Sequence, residues 1–189
     1  MRGEAAGGEQ GVSCARARAA RRAAVACAQS ACDRRAAAAD ADGSKPLARA
    51  RRVVANVRVE QVEQFPTIQF FRTVPMLSLV RFARWDEILA EPEPHEPFAF
   101  ARAIWHYGRG VAHAALGDGR AALAELAAIE QLEPEVDEIF MGNVYPARNL
   151  MEIAKSLLRG EMAYRSGDAA NAVLAFEEAV ELQDALPYT

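Results

Sequence analysis

Apolar residues recur at three- and four-residue spacing in blocks, and Gly, Pro and Asp separate the blocks. That pattern predicts helices joined by tight turns. Ser44-Lys45-Pro46 reads as a helix start, with Ser44 as N-cap, and the helix runs to about Val54. Asn56 is expected to end it in a left-handed cap. A short helical turn is expected over Val59–Gln64. Thr67–Phe82 follows, with Ile68, Phe71, Leu77, Leu79, Val80 and Phe82 apolar, and Pro75 is expected to kink or split it. A turn at Ala83-Arg84-Trp85-Asp86 leads into Trp85–Ala90. Three prolines between Glu91 and Pro97 then forbid a helix.

The second half carries the clearest periodicity. Phe98–Leu116 and Arg120–Leu132 form one expected pair, with Gly117-Asp118-Gly119 between them and Leu123, Leu126, Ile129 and Leu132 at helical spacing. Glu133-Pro134 closes that hairpin, and Val136–Met141 reads as a short helix broken by Gly142-Asn143. Ala147–Ser166, with Pro146 at its start and a stripe of Leu150, Ile153, Leu157 and Leu158, pairs with Ala169–Gln183. The hairpins span about 67–90, 98–134 and 146–185.

Within the last hairpin Gly160 and Gly167 lie seven apart, and Ala172, Phe176 and Ala179 follow Gly167 at offsets of five, nine and twelve. This resembles a tetratricopeptide repeat, in which a Gly lets two helices cross closely and a small and a large residue fill the second helix. In the preceding hairpin Gly110, Gly117, Ala122 and Pro134 match, Leu126 replaces the aromatic, and His113 and Ile129 stand where Tyr and Ala are common. Arg84-Trp85-Asp86-Glu87 resembles the turn of an earlier repeat, with Ala83 in the glycine place. Gly110 and Gly160 are 50 residues apart, not the 34 of the plain repeat, and the excess lies in the Glu135–Asn149 connection.

From about Thr67 to Tyr188 the chain looks like bacterial tetratricopeptide-repeat proteins of unassigned function. Leu79–Leu89 and Glu181–Tyr188 carry most of that likeness. The resemblance implies an all-α fold, an α-solenoid of antiparallel hairpins, that binds a protein or peptide and performs no catalysis. The alternative is a structural fragment of a longer repeat protein whose activity lies elsewhere. Such relatives continue past Leu186-Pro187-Tyr188-Thr189 into another repeat. The last helix shows Val173, Leu174, Phe176, Val180 and Leu182, more apolar surface than its hairpin partner covers, so another repeat, another copy or the basic N-terminal tail is expected to cover it, in a fragment of a longer array or a self-associating chain.

Charge divides the chain. Residues 1–52 hold 11 basic and 5 acidic residues, and the remainder 11 basic and 21 acidic. Residues 1–43 are rich in Ala and Arg and almost without large apolar residues, so they read as a disordered basic tail ahead of a 44–189 repeat domain. A nucleic-acid arm using Arg16, Arg18, Arg21, Arg22, Arg34 and Arg35, or a targeting segment, competes with that reading. No aromatics or Lys clusters accompany the arginines, which weakens the arm. Cys14, Cys27 and Cys32 are an odd set without His partners, so neither a disulfide framework nor a zinc site is expected. No run approaches a membrane span and no Leu-rich leader is present. A cytoplasmic protein without cofactor is expected.

Little in the sequence suggests chemistry. His106 and His113 share a helix face two turns apart, about 10.5 Å, too far for one metal. His95 has no evident partner, and Glu91, Glu93 and Glu96 read as a solvated linker. Gly108-Arg109-Gly110 lies inside a helix and is no phosphate loop. On a repeat scaffold the first helices line the groove, which makes Tyr107, Glu161, Tyr164 and Arg165 the candidate groove residues. Repeats that grip chaperone carboxylate tails place Lys, Asn and Arg there. This chain has Tyr107, Val111 and Ala114 in one hairpin and Leu157, Glu161 and Tyr164 in the next, so that mode is not expected.

Overall fold

In a computed structural model, residues 44–94, 97–136, 139–141 and 144–187 are described. The expectations for residues 1–43, including the three cysteines and the arginine cluster, and for His95, Glu96, Gly142-Asn143 and Tyr188-Thr189 lie outside the described residues. In chain order the elements are α1 (Ser44–Asn56), α2 (Val59–Gln64), a 3-10 turn (Pro66–Gln69), α3 (Phe70–Arg81), α4 (Trp85–Ala90), α5 (Ala99–Ala115), α6 (Gly119–Val136), β1 (Phe140–Met141), β2 (Tyr145–Pro146), α7 (Ala147–Arg165) and α8 (Ala169–Asp184). The fold is predominantly helical, with one small two-stranded ribbon among the described residues.

Three helical hairpins, α3/α4, α5/α6 and α7/α8, share one turn geometry. Asp118 N–H donates to His113 O and Gly117 N–H to Ala114 O. Asp168 to Ala163 and Gly167 to Tyr164 repeat that pattern, and so do Arg84 to Leu79 and Ala83 to Val80. Each turn therefore closes with a six-residue bond around a residue of positive φ, the Schellman arrangement. That residue is Gly117 (φ 86°), Gly167 (φ 85°) and Ala83 (φ 53°). Asp118 and Asp168 then cap the second helices, accepting the N–H of Ala121 at 3.0 Å and of Asn171 at 3.1 Å. Arg84 occupies the same place without a side-chain cap. Ala122, Ala172 and Ile88, five residues past the turn, are all buried.

The hairpins pack in chain order. Helices α3, α5 and α7 lie side by side, α4 packs on α5, α6 packs on α7, and α1 covers α3. The main core lies between α5, α6 and α7, built from residues such as Ile104, Val111, Leu126, Ile129, Met151 and Leu158. A second core joins Leu47 of α1 to Met76, Leu79, Ile88 and Ala112.

Several local expectations are corrected. Helix α6 runs through Pro134 to Val136, because Val136 is fully buried in the main core and holds the last turn helical. Of the span Val136–Met141, expected to be a short helix, Val136 ends α6 and Phe140–Met141 form strand β1, paired antiparallel with β2 (Phe140 with Pro146, Met141 with Tyr145), while 137–138 lie outside the described residues. Tyr145 precedes a proline, which favours extended backbone, and buried Met141 anchors the ribbon. Pro75 does not split α3; the change of helix type comes earlier, at Pro66–Gln69. Asn56 ends α1 within the helix, since Ala83 alone among described non-glycine residues has positive φ. The buried stripe of α7 is Met151, Ala154 and Leu158, while Leu150, Ile153 and Leu157 are half-buried. Leu123 faces solvent.

Candidate interaction surface

The four groove candidates fall on two neighbouring helices. Tyr107 lies on α5, and Glu161, Tyr164 and Arg165 lie on α7. One helical turn brings Arg165 back over Glu161, and its Nε donates to Glu161 Oε1 at 2.8 Å. The Arg165 guanidinium also lies 5.7 Å from the centre of the Tyr164 ring. Tyr164 is 59% exposed. Tyr107 is different: half-buried, it packs against the main core. Burial, and then the nearby Glu161 carboxylate, push its phenol up to about 12. The adjacent packing of α5 and α7 thus brings Tyr107 into the field of Glu161 on the next hairpin. Of the two tyrosines, Tyr107 is the half-buried one and Tyr164 the exposed one.

Between α5 and α6 lies a polar cluster that the sequence reading did not assemble. His106, Arg109 and His113 share one face of α5, and Glu125 of α6 meets them. His106 Nδ1 lies 2.6 Å from Glu125 Oε2, and Arg109 Nε donates to Glu125 Oε1 at 2.7 Å. His113 Nε2 is 3.8 Å from the same oxygen. Burial alone would raise the Glu125 carboxyl, but the hydrogen bonds from His106 and Arg109 outweigh it and hold the carboxyl below its usual range. Arg109 also donates to Leu89 O at 3.1 Å and lies 4.6 Å over Trp105, whose indole N–H donates to Glu91 O at 3.0 Å. One guanidinium therefore ties the end of α4 to α5 and α6. The spacing of His106, Arg109 and His113 was the available signal; their partner lies on the next helix.

Helix α7 is fastened on both sides. Lys155, 5% exposed, is ion-paired with Glu133 of α6 and donates to Glu152 at 2.8 Å. Arg159 donates to Glu130 at 3.1 Å, and Ser156 to Glu178 of α8 at 2.9 Å. A cleft of about 430 Å³ opens between α1, α3, α5 and the proline linker, lined by residues including Arg51, Arg72, Met76, Glu93 and Trp105. An Arg51–Glu91 pair and an Arg102–Glu93 pair brace its rim.

Among the described residues no group of three or more His, Cys, Asp or Glu is arranged to hold a metal ion. No helix among them is long and apolar enough to cross a membrane. No protein-family model, curated protein or solved structure matches the chain significantly.

Proposed function

We propose that the chain is a helical-repeat scaffold of the tetratricopeptide kind, an α-solenoid that binds a protein or peptide and performs no catalysis. The observation that carries this reading is the side-by-side packing of the first helices α5 and α7, which carry Tyr107 and the Glu161, Tyr164 and Arg165 group. On α7 an anion, a cation and an aromatic lie together: Arg165 donates to Glu161 and lies over the Tyr164 ring. The shared turns at Ala83, Gly117 and Gly167 support the repeat. The bound segment lies along α5 and α7, with Tyr164 stacking on it and Glu161 and Arg165 offering paired charges. Peptides selected from a random display library on the full chain test the reading. Saturable binders weakened about ten-fold by Tyr164→Ala or by Arg165→Glu, with unchanged circular dichroism, are expected. Failure to select saturable binders, or binders indifferent to both substitutions, overturns it.

A further inference from the structure

Gly110 and Gly160 stand at the same place relative to their turns, yet different residues fill the notch above them. A Cβ on Gly110 would lie 2.6 Å from Leu158, which comes from the following hairpin. A Cβ on Gly160 would lie 2.6 Å from Phe176, which belongs to the same hairpin. The α7/α8 hairpin thus closes its own notch, and a further helix packing here has to use the outer side of α8. That side is apolar and acidic together. Val173, Leu174 and Val180 are 42%, 62% and 47% exposed. Helical spacing places Val173 and Val180 on one edge and Leu174 on the other, with Glu177, Glu181 and Asp184 between them. No cation engages these three carboxylates among the described residues.

We propose that this face of α8 seats a basic amphipathic helix of a partner protein. The chemistry favours Lys and Arg in the partner. Their aliphatic stems cover the valines while their charged heads reach Glu177, Glu181 and Asp184. The chain already joins helices this way: acidic Glu130 and Glu133 of α6 receive Arg159 and Lys155 of α7 beside buried Leu126 and Ile129. A second copy is the poorer occupant, because a two-fold contact through this face sets each acid against its own counterparts. The proposal goes beyond the groove reading and uses none of its residues.

Two synthetic peptides of 16 residues, the length of α8, test it. Both carry Leu at i, i+3, i+4 and i+7; one has Lys at the flanking positions and the other Glu. Fluorescence anisotropy on the full chain is expected to show saturable, salt-sensitive binding of the Lys peptide and binding of the Glu peptide at least about ten-fold weaker. Val180→Asp is expected to cost about ten-fold in affinity, the scale of one lost buried valine contact. Glu177→Lys with Glu181→Lys is expected to reverse the preference, and Tyr164→Ala to leave it unchanged. These α8 positions are exposed or half-buried, so circular dichroism checks that each variant stays folded. No saturable binding, equal binding of both peptides, or binding indifferent to the α8 substitutions overturns the proposal. So does a dimer in light scattering that Val180→Asp dissociates, because the occupant is then a second copy.

Discussion

Gly160 lies directly beneath Phe176: a Cβ added there would sit 2.6 Å from Cε1, 2.7 Å from Cδ1 and 2.9 Å from Cζ of the ring. Both are among the most regular features of the sequence pattern, and the structure joins them in one contact. An aromatic ring has no flexible end that can swing aside. Gly160→Ala is therefore expected to destabilise the chain by about 1–3 kcal/mol through overpacking. Urea denaturation measures the loss, and Phe176→Leu in the same chain is expected to recover part of it. An additive double variant would mean that the two positions are not in contact.

The three turns allow a paired prediction. Ala83 holds φ 53° where the equivalent positions are Gly117 and Gly167. Ala83→Gly removes left-handed strain but gives the unfolded chain more freedom, so a net gain of about 0.5 kcal/mol is expected. Gly117→Ala is expected to cost about 1 kcal/mol. Nothing lies within 4 Å of a Cβ at Gly117, so that cost is conformational and not steric. Thermal melts of both variants read the opposite signs.

Glu125 gives the chain an acid-sensitive element. Its carboxyl is held below the ordinary 4.5 in the folded state, so the unfolded chain binds more protons there as pH falls. The stability it contributes is present above about pH 4.5 and is lost as pH falls through the folded value. Glu125→Gln is expected to cost about 2 kcal/mol at pH 7, the scale of hydrogen bonds to a charged group. The gap between variant and parent is expected to narrow below pH 4.5. A constant gap in urea titrations from pH 7 to pH 3 would remove Glu125 from this role.

Tyr107 acts at the opposite end of the scale. Its phenol keeps its proton to about pH 12 in the folded state, against 10.0 ordinarily. Between those values the folded chain binds more protons, so stability falls as pH rises. Tyr107→Phe keeps the ring in the core and removes the group that titrates. The variant is expected to lose less stability than the parent between pH 10 and pH 12, as followed by chemical denaturation.

Lys155 is almost fully buried, but its partners Glu133 and Glu152 remain one-quarter to one-third exposed. Lys155→Met is expected to cost less than about 3 kcal/mol, because both carboxylates can turn to water once the ammonium is gone. Lys155→Ala is expected to cost more than Lys155→Met, since it also opens a cavity beside α6. Denaturant midpoints of the two variants give the order.

The sequence by itself determined the helices from Trp85 to Asp184 and their turns. Those features are local: a glycine or alanine at positive φ, an Asp accepting from its own helix, and apolar residues three and four apart need no distant partner to be read. Ala83 as the stand-in for glycine was legible for the same reason. What only the tertiary structure decided concerns partners remote in the chain. Burial of Val136 carried α6 past Pro134, which by its own propensity stops a helix, and buried Met141 with Pro146 placed Phe140–Met141 in a ribbon where a helix was expected. Helical spacing also left open which aliphatics face inward, so Met151 entered the core of α7 where Leu150 and Leu157 were expected. The His106–Arg109–Glu125 cluster was half visible, as polar residues sharing one face of α5. Its anion sits 16 residues after Arg109, on a helix whose rotation about its axis is fixed only when the core packs.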